Sequence, residues 1–248
     1  MTDWNNLSKR CVKFLVGTSM INPTLYHYPM ACSLASCITA KEAGFEIDIE
    51  LVDVQSKNIE SGGSLFEVSP LGQVATLVRP DGRVLTENVA ILLWLQSQSK
   101  TIGYGITADK DSYFDLVSWM TFCATELHKA MLWPTMRHDV EEQHKSAARN
   151  EVLTKLAYVD DVLEKSKYLL PLGISAADSY LFWIFTLAPF AKVDLSAFSH
   201  ILDYKDRLSA RPHFANSLKQ DQTDIVVMRK SYPLQTFVKN PILLARLQ

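Results

Sequence analysis

The chain is expected to fold as a small α/β unit followed by an all-helical one. Three observations carry that expectation. Strand-like and helix-like periods alternate through residues 24–98, and every periodic segment from residue 109 onward is helical. Between them, residues 101–108 hold Gly103 and Gly105 and no period, which reads as a linker. A mixed sheet carrying helices, then a set of packed helices, follows from that order.

Each element has its own signal. Residues 24–28 form a short β-like run that ends at Pro29. Residues 31–43 carry a helical pattern closed by Gly44, a residue type that commonly ends helices. Residues 45–54 alternate Phe, Ile, Ile, Leu and Val against Glu and Asp, the period of a strand. Gly62 and Gly63 mark a loop or a broken helical turn. Residues 74–78 and 83–86 are short strands about Pro80-Asp81-Gly82, whose Asp-Gly favours positive φ. Residues 87–98 follow as an apolar helix, so the order is β-α-β-(α)-β-β-α. Helical periods then cover residues 109–131, 141–169, 176–189, 195–210 and 213–220, whereas the tail 224–248 shows none.

Composition bounds the function. With 248 residues, 48% apolar and 21% charged, the chain buries a sizeable core and is no disordered tail. Lys and Arg total 25 against 27 for Asp and Glu, with no basic run, so no nucleic-acid partner is expected. The four cysteines, Cys11, Cys32, Cys37 and Cys123, are too few and too irregular for a disulfide scaffold and suit a reducing compartment. The longest apolar run, residues 180–191, contains Pro189 and falls short of the roughly 20 residues that cross a bilayer, so no membrane partner is expected. Lys9 and Arg10 precede an apolar run broken by Lys13, with no cleavage pattern, which reads as an extension. A cytoplasmic location is expected.

Few residues can carry chemistry. Cys32 follows a strand directly and lies in the first turn of the next helix, where unpaired N–H groups and the helix dipole favour an anion. A thiol there has its pKa lowered, or it donates to a thiolate brought by a ligand; the alternative is a small buried Cys of the core. Cys37 stands roughly 140° around the helix from Cys32, so the two are not a dithiol pair. Glu87-Asn88 opens a helix after a strand, where an acid either caps the helix or holds the ammonium of a zwitterionic ligand. Glu126, His128 and Lys129 cluster on one helix but on different faces. No Cys/His set has metal-ligand spacing, His138 and His144 included, and no metal is expected. Ser175-Ala176-Ala177-Asp178 reads as a capping box.

Several blocks, in order, resemble the bacterial beta-class glutathione transferases. They are Leu25-Tyr26-His27-Tyr28-Pro29-Met30-Ala31-Cys32-Ser33-Leu34, Ser69-Pro70-Leu71-Gly72-Gln73-Val74 and Leu85-Thr86-Glu87-Asn88-Val89-Ala90-Ile91. Thr125-Glu126-Leu127-His128-Lys129, residues 175–182 and Ala210-Arg211-Pro212 continue the likeness, which covers residues 24–221. The resemblance implies a thioredoxin-like glutathione-binding domain at 24–100 and an all-helical domain at 109–223, with extensions at 1–23 and 224–248. It implies a homodimer that uses glutathione as co-substrate against an electrophilic small molecule. By the same resemblance Cys32 contacts the glutathione sulfur; Ser33 is a secondary candidate donor because it stands beside Cys32. Glu87 holds the γ-glutamyl end, Val74 pairs its backbone with the cysteinyl part and Lys57 lies near the glycyl carboxylate. His128 and Lys129 line the site, and Glu126 reaches across the dimer.

Three positions depart from the family pattern. Ala75 replaces the proline of a cis peptide, so the Val74–Ala75 bond is either trans with a reshaped loop or cis without proline. Asn88 replaces a serine and keeps both donor and acceptor. Thr121 replaces an asparagine that serves the neighbouring subunit. Trp119, Phe122 and Trp133 line an acceptor pocket or belong to the core. Two other functions fit the residues: a non-catalytic binding or regulatory protein on the same fold, and a thiol oxidoreductase or glutathione-disulfide lyase acting through Cys32.

Overall fold

The computed structural model describes residues 22–101, 104, 110–171 and 173–231. Segment 1–21, most of the expected linker and the tail beyond 231 lie outside the described residues, together with the expectations placed on them. Strand β1 (Thr24–His27) runs parallel to β2 (Asp48–Leu51) and antiparallel to β3 (Thr76–Val78). Strand β4 (Val84–Thr86) closes a hairpin with β3, giving the order β2-β1-β3-β4. The strand expected over residues 45–54 is cut to four because β1 offers partners only from Thr24 to His27. Beyond it, Val52 makes a single bridge to Ile59.

Alternation along β1 sorts its side chains between two faces. Leu25 and His27, two residues apart, are both buried on one face, whereas Tyr26 packs with Val52, Ile59 and Leu65 on the other. A histidine on the apolar face needs hydrogen-bond partners there. Helix α1 (Ser33–Glu42) covers that face; α2 (Leu65–Val68) is a short turn before β3, and α3 (Asn88–Ser97) follows β4. Nine of the ten α1 residues are buried, because the helix is packed by α3 on one side and by the helical half on the other. Gly44, at φ 63°, ends it: its N–H reaches the Lys41 carbonyl at 3.1 Å and Phe45 N–H reaches Ala40 at 2.9 Å.

The helical half begins with α4 (Lys110–Phe122), which runs into a π-helical stretch (Cys123–Leu132) and on into α5 (Trp133–Met136). The helix expected to end at 131 therefore continues to 136, with one 3.6-residue period replaced by wider turns. Helices α6 (Glu142–Lys165), α7 (Ala176–Leu187), α8 (Ser199–Ser209) and α9 (Pro212–Ser231) complete it. Helix α9 extends eleven residues past its expected end at 220. Its buried face, Phe214, Ser217, Asp221 and Met228, keeps helical spacing but is half polar, which hid the period from a hydrophobicity reading.

One apolar cluster joins the halves: Leu34, Ile38 and Leu92 pack with Leu181, Phe182 and Ile184 of α7. Polar bonds reinforce it. Ala176 N–H at the start of α7 donates to Gln96 Oε1 on α3 at 2.7 Å, and Arg211 forks onto the buried Glu42 carboxylate at 3.1 and 2.6 Å. The capping box at Ser175 is formed. Asp178 is wholly buried and accepts from Ser175 N–H (2.8 Å), Ser175 Oγ (2.9 Å), Leu169 N–H (3.1 Å) and Tyr204 Oη (2.8 Å). Ser175→Ala is expected to cost about 1 kcal/mol of stability. Asp178→Ala, which orphans several buried donors at once, is expected to cost about 3 kcal/mol. Urea unfolding of the two variants checks the order.

Candidate active site around Cys32

The site grows from the turn between β1 and α1. Pro29 breaks the strand and Met30 takes a positive φ of 66°, which swings the chain so that Cys32 becomes the N-cap of α1. Ala31 N–H closes the turn onto the Tyr28 carbonyl at 3.0 Å. The half-buried Cys32 Sγ lies 3.9 Å from the Val74 carbonyl oxygen, and the Val74–Ala75 peptide is cis, the second of the two conformations left open by the sequence. Gly72 shapes the loop leading there: it has φ 56°, and a Cβ on it would meet the Phe66 ring at 2.4 Å.

Facing this edge are α3, the π-helical stretch and α7. Glu87 precedes α3 at φ 67°, and its exposed side chain makes no hydrogen bond to the first turn of that helix. Asn88 is buried, accepts from Ser36 Oγ at 2.9 Å and leaves Nδ2 without a partner among the described residues. His128 Nδ1 is 2.8 Å from Tyr180 Oη, and its ring meets Trp183 edge-on at 4.7 Å between centroids. Lys129 Nζ sits over the half-exposed Trp133 ring at 4.5 Å.

Other candidates stand apart. The Ser33 hydroxyl is fully buried and turned onto His27 Nδ1 at 2.7 Å, away from the face that Cys32 presents. Glu126 pairs with Lys155 of α6 in the same chain. Lys57 stands in a turn built by Asp53, whose carbonyl takes its N–H at 2.8 Å and whose carboxylate takes Ser56 N–H at 2.8 Å. Cys37 is buried in a different cluster from the one Cys32 packs against. Trp119 and Phe122 do not join Trp133; they form an aromatic group with the exposed Tyr158, on which Trp119 stacks at 5.5 Å. Among the described residues no three His, Cys, Asp or Glu side chains gather as a metal-binding set, and no helix is long and apolar enough to cross a membrane.

Tyr180 and Trp183 were missed because they sit in an apolar run whose period reads as core. Their i, i+3 spacing puts both on the face that meets His128. His27 was legible only as part of a motif, and Asp221, its partner at 3.1 Å, lay beyond the expected end of the last helix.

Electrostatics assigns protonation states. Burial pushes the Cys32 thiol up to about 11; the Ala75 backbone N–H and Lys129 pull the other way but do not win. Cys32 is therefore a neutral thiol at pH 7, which sets aside the lowered-pKa reading of the sequence. Burial, then Lys129, lowers His128 to about 4, so its imidazole is neutral as well. Both states can be tested. Alkylation of Cys32 by iodoacetamide should climb about tenfold per pH unit from pH 7 to 10 without levelling. A folded-state His128 pKa below its ordinary 6.5 means that the unfolded chain binds the proton first. Stability is thus full above 6.5 and falls as pH drops towards 4, and denaturant unfolding of His128→Gln should show a flatter decline over that window.

The chain is similar to known proteins along most of its length. Residues 122–212 match the model of the glutathione S-transferase C-terminal domain. Glutathione S-transferase GstA of Escherichia coli O157:H7 is 34% identical over 197 residues, covering 79% of this chain and 98% of that protein. A sphingomonad glutathione S-transferase solved in complex with glutathione is 29% identical, with a TM-score of 0.76 over 80% of this chain and 98% of the other. The beta-class glutathione S-transferase of Sphingomonas chungbukensis is 30% identical, with a TM-score of 0.75 over the same shares. A thioredoxin-like sheet half, a helical half, a thiol at the start of α1 and a relative aligned along nearly its whole length lead to one conclusion: the chain belongs to the glutathione S-transferase family.

Proposed function

We propose that the protein is a glutathione transferase that binds the tripeptide along the Val74 edge and adds its sulfur to an electrophilic small molecule. The observation that carries this is the protonated Cys32 thiol at the N-terminal end of α1, beside the Val74 carbonyl. A neutral S–H there donates to an incoming thiolate, and the helix N-terminus favours the negative charge. The proton lost by the bound thiol passes to solvent; the sulfur then bonds to the electrophilic carbon as that carbon's bond to its leaving group, a halide in an aryl halide, breaks and the anion departs into solvent. Val74 pairs with the cysteinyl backbone; the exposed Glu87 carboxylate takes the γ-glutamyl ammonium, and Asn88 at the first turn of α3 serves its carboxylate. Lys57 serves the glycyl end. Trp133, flanked by Lys129 and Arg137, offers an apolar wall for the acceptor. Ser33 acts through the start of α1 rather than by contact.

The domain limits are read as 24–100 and 109–223, with α9 running on into the C-terminal extension. The aromatic face of α4 and α6, with Phe114 and Tyr158 exposed, is taken as the homodimer surface. Since Lys155 already holds Glu126, any reach of that residue across the dimer requires exchange of partners. The setting is cytoplasmic, as few irregular cysteines suggest.

Calorimetric titration with glutathione is expected to give a Kd between micromolar and low millimolar. Cys32→Ala is expected to lose about tenfold in kcat/KM with a model aryl halide, as for one donor to a developing anion, and Cys32→Ser less. Complete loss of activity in Cys32→Ala would favour a nucleophilic cysteine and hence oxidoreductase or lyase chemistry; binding without turnover of any electrophile would favour a binding protein.

A further inference from the structure

The turn that presents Cys32 is held from the far end of the chain. Both backbone polar atoms of Met30 have partners in the helical half: its N–H donates to Asp221 Oδ2 of α9 at 2.7 Å, and its carbonyl accepts from Trp183 Nε1 of α7 at 2.9 Å. Met30 is the residue with φ 66°, a conformation a non-glycine side chain holds only when its surroundings fix it. Asp221 does more. Its other oxygen lies 3.1 Å from His27 Nε2, and His27 Nδ1 lies 2.7 Å from Ser33 Oγ in the first turn of α1. All three side chains are buried: Asp221 is 3% exposed, His27 2% and Ser33 0%. One carboxylate therefore grips the chain two residues before Cys32 directly and one residue after it through an imidazole.

We propose that Asp221 is a positioning residue for Cys32: from α9 it fixes the Met30 peptide and, through His27, the Ser33 end of α1, and so sets where the thiol sits. The inference rests on the reading of Cys32 as the thiol donor. A carboxylate suits the task better than an amide, because it accepts from the Met30 N–H and a His27 N–H at once. Burial works to lower the His27 pKa, but Cys37 and Asp221 overcome it and raise the value to about 10, consistent with an imidazolium donating to both neighbours. Helix α9 also bonds α1 directly, through Lys41 Nζ to Ser217 Oγ at 3.0 Å, a contact that touches neither Met30 nor His27. It provides a control for simple loosening of α9 from α1.

The test compares Asp221→Ala, Asp221→Asn and Lys41→Ala in the full chain, with two readouts. The first is transfer of glutathione to an aryl halide. Asp221→Ala is expected to lower kcat/KM about tenfold, mainly in kcat, because misplacing a donor by a fraction of an ångström weakens stabilisation of the thiolate. Asp221→Asn keeps an oxygen for the Met30 N–H and is expected to fall between Asp221→Ala and wild type. Lys41→Ala is expected to stay within about twofold. The second readout is iodoacetamide labelling read residue by residue in a mass spectrometer, which needs no glutathione. Cys32 is expected to react several-fold faster in Asp221→Ala, as the turn relaxes towards solvent, while the buried Cys37 and Cys123 stay unlabelled. Labelling of all three would mean unfolding, and Asp221→Asn would then decide between the outcomes. The inference is overturned if the Asp221 variants keep wild-type rates and wild-type Cys32 labelling, or if Lys41→Ala reproduces their effect. Failure of the wild-type protein to bind glutathione would instead defeat the transferase reading, while the labelling readout would still decide whether Asp221 places Cys32.

Discussion

Helix α1 has almost no side open to water, and most other features answer to that. A ten-residue helix with nine buried positions cannot be amphipathic, and its composition is accordingly small and mildly polar: Ser33, Ala35, Ser36, Cys37, Thr39 and Ala40 let the sheet, α3, α7 and α9 approach it closely. Enclosure makes its start a low-dielectric place, where a donor aimed at an anion acts more strongly than in water. The same enclosure raises the Cys32 pKa, so burial decides which partner in a hydrogen bond carries the proton.

Much of this was legible from residue pattern. The β-like run that ends at Pro29, the Asp-Gly hairpin, the Gly44 terminator and the Ser175–Asp178 box each have a local cause, and each stands where its residues place it. What was not legible depends on tertiary partners. The strand over residues 45–54 shrank because pairing is limited by the neighbour and not by the strand's own alternation. The π-helical stretch leaves no mark in hydrophobic spacing, since wider turns are stabilised by packing against α6 and α7. Helix α9 ran on because a polar face can be buried when its groups find partners, as Ser217 and Asp221 do.

The candidate site shows the same division. Cys32, Glu87 and His128 were visible as residue types at helix starts or as members of recognisable blocks. Tyr180 and Trp183 were hidden within a run that is apolar on every side, because aromatic residues with a polar tip serve core and site alike. Ser33 was visible but misleading: adjacency in sequence to Cys32 puts it about 100° around the helix, on the side where His27 waits.

The bond from Ala176 N–H to Gln96 Oε1 bears on how far the two halves are separable. Helix α7 takes a partner for its first turn from a side chain eighty residues earlier, in the other half of the molecule. A fragment starting at residue 110 would lack that acceptor, and with it the Met30 atoms that engage Trp183 and Asp221 and the carboxylate that receives Arg211. Each of these groups is at home only in the complete chain. The helical half is thus a domain by its architecture but not by its autonomy: its folded surface is finished by residues that the sheet half contributes.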